Sequence, residues 1–126
     1  MSVNADIAYR NDKGDDLLNP ATPGHFSADD IKTYKIVDGK AIEIYNGFMD
    51  APRNFYIYND TPENCYRMRI FLDNDSMLLR LNSDITDTIT SYIEKSSGNT
   101  VTKKVWYNGK LMWSSGDGVR EFTIVK

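Results

Sequence analysis

Short alternations of apolar and polar residues, broken by tight-turn chemistry, run along almost the whole chain, and no stretch carries an apolar helical period. The clearest segment is 101–113. Here Asn108-Gly109 separates Val101–Tyr107 from Lys110–Trp113, and both turn residues tolerate the positive φ of a two-residue hairpin. A two-residue turn puts Trp106, Leu111 and Trp113 on one face. A bulged turn groups Trp113 with Val105 and Leu111, and sets Trp106 with Met112 and Lys104. A second hairpin is predicted over Ile31–Val37 and Lys40–Asn46, around Asp38-Gly39. A bulged three-residue loop there gathers Tyr34, Ile36, Ile42 and Ile44 on one face, and this register is the one expected.

The other elements follow the same logic. Ala5–Arg10 reads as a first strand and Asp16–Leu18 as a short edge strand. The loop Asn19–Gly24 holds two prolines, and Ser27–Asp30 is expected to lead directly into the next strand. Gly47–Arg53, with Pro52, reads as a crossover between sheets. Asn54–Asn59 is apolar on both faces, as a central strand would be. In Cys65–Leu72, Tyr66, Met68, Ile70 and Leu72 point inward and Arg67 and Arg69 outward. Asp73–Ser76 reads as a polar turn, and Met77, Leu79 and Leu81 return on a core face. Thr86–Lys95 has strand composition with one wet face, and Val119–Val125 closes the chain with Phe122 and Ile124 inward. About nine short strands at regular spacing predict an all-β domain. The expected form is a two-sheet antiparallel β-sandwich, immunoglobulin-like or similar, with an up-and-down β-barrel as the alternative.

Length and composition add bounds. The 126 residues suit one domain, 1–126, with residues 1–4 as a start or tether; 40% are hydrophobic and 26% charged. The net charge of −3 provides no basic field for nucleic acid. The longest apolar run, Phe55–Tyr58, is far short of a membrane span. Charge is uneven: in residues 1–30 six acids (Asp6, Asp12, Asp15, Asp16, Asp29, Asp30) face only Arg10 and Lys13. Such a start suits solvated surface or a tether leaving a membrane anchor. No signal peptide is visible after Met1-Ser2.

Candidate chemistry is sparse. His25 is the sole histidine, in a Pro/Gly loop without a neighbouring nucleophile motif. Cys65 is the sole cysteine, within a strand, and reads as a packed thiol. The acidic stretches 12–16 and 73–75 supply hard oxygen donors but lack the spacing of a calcium loop. Neither a cofactor nor a metal is expected. The aromatic residues are the better candidates for a working surface: Trp106, Tyr107 and Trp113, with Tyr56 and Tyr58, are the side chains able to stack on a sugar or a partner protein.

Several phrases carry a resemblance: Asp16–Pro20, Thr22-Pro23-Gly24, Glu43–Asn46, Asp50–Phe55, Val105–Gly109 and Phe122–Lys126. In these the chain resembles small β-rich lipoproteins of Bacteroides-type gut bacteria, which join a lipidated cysteine and an acidic tether to one β domain. The lipobox cysteine is not among these residues. The resemblance implies an extracytoplasmic, outer-membrane lipoprotein, attached to the membrane only through a lipid anchor absent from this sequence. It also implies O-glycosylation at Asp-Ser/Thr-apolar sites, matched by Ser76 (Asp75-Ser76-Met77) and Thr88 (Asp87-Thr88-Ile89). The expected function is a non-enzymatic module contacting protein or glycan at the cell surface. A carbohydrate-binding module built on the exposed aromatics is the alternative, and a hydrolase using acidic loop residues is a third reading.

Overall fold

The computed structural model describes residues 3–48, 51–61, 64–72 and 75–126. Ten strands form two sheets: β1 Asn4–Arg10, β2 Lys32–Val37, β3 Lys40–Glu43, β4 Phe55–Asp60, β5 Cys65–Phe71, β6 Asp75–Arg80, β7 Thr86–Ser96, β8 Asn99–Tyr107, β9 Lys110–Ser114 and β10 Glu121–Val125. One sheet has the order β10-β1-β5-β4 and the other β3-β2-β6-β7-β8-β9. Among the described residues no pairing joins them, so the domain is a β-sandwich and not the closed barrel held as the alternative. All pairs are antiparallel except β1 with β10, which run parallel from Asp6↔Glu121 to Arg10↔Val125. No helix among the described residues is long and apolar enough to cross a membrane.

The core lies between the sheets. Ala5, Ile7 and Tyr9 of β1, Met68 and Ile70 of β5, and Phe122 of β10 meet Met77, Leu79, Ile89, Val105, Tyr107 and Trp113 of the larger sheet. Ile31, Leu17, Leu18 and Phe26 belong to the same core. Tyr9 stands edge-on to both Phe26 and Tyr107, with ring centroids 5.9 and 6.3 Å apart.

Several sequence expectations change here. Asp16–Leu18 is not an edge strand: a single bridge joins Arg10 to Asp16, and Leu17 and Leu18 are buried. The segment before β2 does not run straight into the strand; Ala28–Asp30 makes one 3₁₀ turn whose Ser27 cap accepts from the Asp29 amide. The hairpin at Asp38-Gly39 takes the two-residue turn, with Val37 opposite Lys40 and Tyr34 opposite Glu43. Asp38 (φ 52°) and Gly39 (φ 77°) both enter the left-handed region, as that turn requires. The apolar-face argument for a bulge had nothing to act on, because Ile36 and Ile42 are both exposed and no core selects the register.

β4 is an edge strand, not a central one. Its second apolar face is the tyrosine pair Tyr56/Tyr58, which lies on the sandwich exterior against Arg69. Asp73 lies outside the described residues, and Ser76 belongs to β6 rather than to a turn. β5 and β6 lie in different sheets, so this link is a crossover, as are those from β1 to β2, from β3 to β4 at Pro52, and from β9 to β10.

The anchor hairpin merges its two predicted registers. Asn108-Gly109 forms a two-residue turn, with Tyr107 opposite Lys110 and Trp106 opposite Leu111. The register then shifts around Met112, which brings Trp113 opposite Val105. The shift sends Trp106 and Trp113 to opposite faces.

Candidate interaction surface

The two tryptophans therefore play different parts. Trp113 is 6% exposed; its indole N–H donates to the Gly118 carbonyl (3.2 Å), and the Arg120 guanidinium stacks 4.9 Å from its ring. Trp106 is half-buried on the outer face of the six-stranded sheet. Cross-strand pairing sets its neighbours: Leu111 on one side, Thr90 on the other, and Ser76 beyond Thr90. The adjacent row holds Tyr34, Leu78 and Thr88. Tyr92 lies opposite Lys104 in the row on the far side. Leu111 and Tyr92 are 47% and 48% exposed. Charged residues on this face, Lys32, Arg80, Glu43 and Lys104, stand at its margins.

Ser76 and Thr88 share this face. Ser76 is half-buried and exchanges a hydrogen bond with the Thr90 hydroxyl at 3.1 Å. Thr88 is also half-buried, and its amide donates to the Asn108 side chain (2.8 Å). Neither sits in the open turn expected of a modification site; both lie in paired strands.

Tyr107, by contrast, is buried and offers no stacking platform. Its hydroxyl donates to Asp87 Oδ2 (2.5 Å), so the 2.9 Å contact with Tyr9 is a bond donated by Tyr9. Asp87 also accepts from Asn108 (3.0 Å) and pairs with the Lys126 ammonium (2.6 Å). Burial raises the Asp87 carboxyl, but the bonds from Asn108, Lys126 and Tyr107 outweigh it and hold the group below the ordinary 3.8. Burial, with the nearby carboxylate, pushes both tyrosines upward. Neither phenol is thus a base or nucleophile near neutral pH. The cluster closes one end of the core.

The outer face of the smaller sheet is a second self-contained network. Arg69 grips Asp6 with two parallel bonds of 2.9 Å, and Tyr58 (3.0 Å) and Asn4 (3.1 Å) complete the carboxylate's shell. Burial opposes ionisation of Asp6, but Arg69, Tyr58 and Asn4 together prevail and lower its pKa. Burial, then Asp6, pushes Tyr58 up to about 12. The Arg69 guanidinium lies 5.9 and 5.4 Å from the rings of Tyr56 and Tyr58, and donates to the Tyr56 hydroxyl (3.1 Å). Arg67 bridges Asp60 (3.2 Å) and Glu121 (3.1 Å). Tyr56 and Tyr58 are therefore engaged with arginine, Tyr56 exposed and Tyr58 half-buried.

The remaining candidates stay apart. His25 Nδ1 bonds the Thr22 carbonyl at 3.0 Å, and Cys65 is buried. Asn11 orders the 12–16 loop by accepting from the Lys13 and Asp15 amides (both 2.9 Å) and donating to the Asp15 carboxylate. Among the described residues no group of three or more potential metal ligands assembles. Open clefts of about 430, 380 and 410 Å³ lie beside Tyr45, beside the start of β4, and between β9 and β10.

Of the five aromatic candidates, only Trp106 lies on the apolar outer face. Its companions Tyr34, Leu78, Tyr92 and Leu111 were not singled out from the sequence as site residues. One signal for them was present: Met77-Leu78-Leu79 is apolar at the outward position as well as the inward ones. No family model, no curated protein and no solved structure matches the chain.

Proposed function

We propose that this domain is a non-enzymatic interaction module of an extracytoplasmic lipoprotein, docking a protein partner on the outer face of its six-stranded sheet with Trp106 at the centre. One observation carries the reading: Trp106, Leu111, Leu78, Tyr34 and Tyr92 share a solvent-facing surface, interleaved with hydroxyls and rimmed by charge. An aromatic and aliphatic centre inside a polar rim is the anatomy of a protein contact patch. The extracytoplasmic setting is supported by the resemblance described above.

A photo-crosslinking residue at position 106, compared with one at the exposed position 123 on the outer face of the smaller sheet, tests the assignment in cells making the protein. A discrete adduct to another protein from 106, absent from 123 and weakened by Leu111→Ala, is the expected result. Adducts from 123 alone would move the contact to the smaller sheet.

A second reading, glycan binding, has one specific support: the hydroxyls of Thr90 and Ser76 lie in the same cross-strand row as the half-exposed Trp106 ring. A sugar stacked on the indole would find hydrogen-bonding groups beside it. Glycan-array signals abolished by Trp106→Ala would favour this reading over a protein partner.

A further inference from the structure

Four strands end the two sheets, and three are protected. β3 is only four residues long and carries Lys40 and Glu43. β9 carries Lys110 and the register shift near Met112. β10 lies beside β9. β4 has neither a lysine nor a bulge, and an open cleft lined by Ala28, Asp29 and Tyr45 runs beside its start at Phe55–Ile57. It pairs with β5 in one register from Phe55 to Asp60, and contains no proline. An unbulged edge whose single charge, Asp60, stands at its end is one that soluble proteins either blunt or pair.

The open side of β4 is set by its bonds to β5. The Phe71 amide donates to the Asn54 carbonyl (3.1 Å), and the Asn54 side-chain amide donates back to Phe71 (2.8 Å) in place of its own backbone N–H, which is turned to Ala51 (3.0 Å). In an antiparallel ladder the bonded pairs alternate, so Tyr56 and Tyr58 exchange bonds with Arg69 and Arg67. The backbone groups of Phe55, Ile57 and Asn59 then point away from the sheet.

We infer that this edge pairs with the same edge of a second copy, antiparallel about a two-fold axis through Ile57. The register is self-complementary. Ile57 meets its own equivalent as a bonded pair, and Phe55 meets the partner's Asn59. On the outer face Tyr56 meets the partner's Tyr58, giving an aromatic cross-strand pair on each side of the axis. Charge does not oppose the pairing: Arg53 precedes the strand with its guanidinium donating to the Asp29 and Ile31 carbonyls, and Asp60 ends it paired with Arg67, so the antiparallel register sets no like charges opposite. The two small sheets become one of eight strands. The outer face of each six-stranded sheet remains free, so this inference and the proposed docking face fail independently.

Light scattering on the eluting protein tests the pairing, together with Asn59→Pro. Residue 59 is exposed and its N–H faces outward, so proline there removes an intermolecular donor and none of the β4–β5 bonds. The unaltered chain is expected at twice its 14.4 kDa mass, and Asn59→Pro at 14.4 kDa with an unchanged far-ultraviolet circular dichroism spectrum. The double variant Tyr56→Cys/Tyr58→Cys gives a second reading that needs no proline: in this register oxidation links two chains covalently. A monomeric mass for the unaltered chain, or a dimer that survives Asn59→Pro and yields no cross-link, overturns the inference. So does a monomer whose Ile57 and Asn59 amides gain exchange protection only on adding an extended peptide, an outcome assigning the edge to another protein's strand.

Discussion

The two outer faces of the sandwich are built from opposite materials. On the four-stranded sheet Asp6, Arg69, Tyr58, Arg67, Asp60 and Glu121 bond chiefly to one another. On the six-stranded sheet Trp106, Leu111, Leu78 and Tyr92 face outward without such a lattice, with hydroxyls between them and Lys32, Glu43, Arg80 and Lys104 around them. A face whose charges are already matched has little to offer a partner, because docking would have to replace bonds it already makes. A face with half-exposed aromatics gains by being covered. On the proposed reading the partner is met on the apolar side, while the charge-matched side keeps its own bonds.

Substitutions grade this contrast. Trp113→Ala, directly beneath the open face, sets the upper scale: loss of a buried indole should cost about 4 kcal/mol in urea denaturation. Arg69→Ala on the matched face leaves the Asp6 carboxylate without its main counter-ion. Because Arg69 is 37% exposed at its side chain, solvent softens the loss to about 2 kcal/mol. An effect below half of that would mean the network is ornamental and the contrast overstated.

Acid should act through the matched face and the Asp87 cluster. Both carboxyls sit below the ordinary 3.8, so their stabilising contribution is complete above that value and disappears as pH falls through the lowered folded values. Thermal midpoints should be level above about pH 5 and drop below about pH 4, and Asp6→Asn should flatten part of that drop. An alkaline counterpart exists: Tyr9, Tyr58 and Tyr107 should ionise only well above the ordinary phenol value of 10, with stability declining as pH climbs past that value.

The smallest expected effect on stability is the most informative about function. Trp106→Ala should change the unfolding free energy by about 1 kcal/mol or less, yet remove the contact proposed at position 106. A loss approaching that of Trp113→Ala would show the indole to be structural.

Turns and strand identities were legible because they depend on neighbours in sequence. Asn108-Gly109 and Asp38-Gly39 take the left-handed conformations that their residue types suggest. Ser97-Gly98 does so between β7 and β8. Register was legible only where a core enforces it. At the β2–β3 tip both faces are wet, so the apolar pattern misled. In β4, Tyr56 and Tyr58 imitate a buried face because aromatic rings cover arginine as readily as they fill a core. The ion pairs themselves were out of reach. Asp6 and Arg69 are 63 residues apart, and nothing near either residue announces the other. The parallel pairing of β1 with β10 is longer still in range and leaves no local mark.

That parallel pair has a mechanical consequence. Asn4 and Val125 lie at opposite ends of two strands running side by side, so tension drawn through them would strain the whole ladder from Asp6↔Glu121 to Arg10↔Val125 in shear, not peel it open one rung at a time. A domain fastened at one end and pulled at the other would give way abruptly and at high force, as a rivet row does and a zip does not.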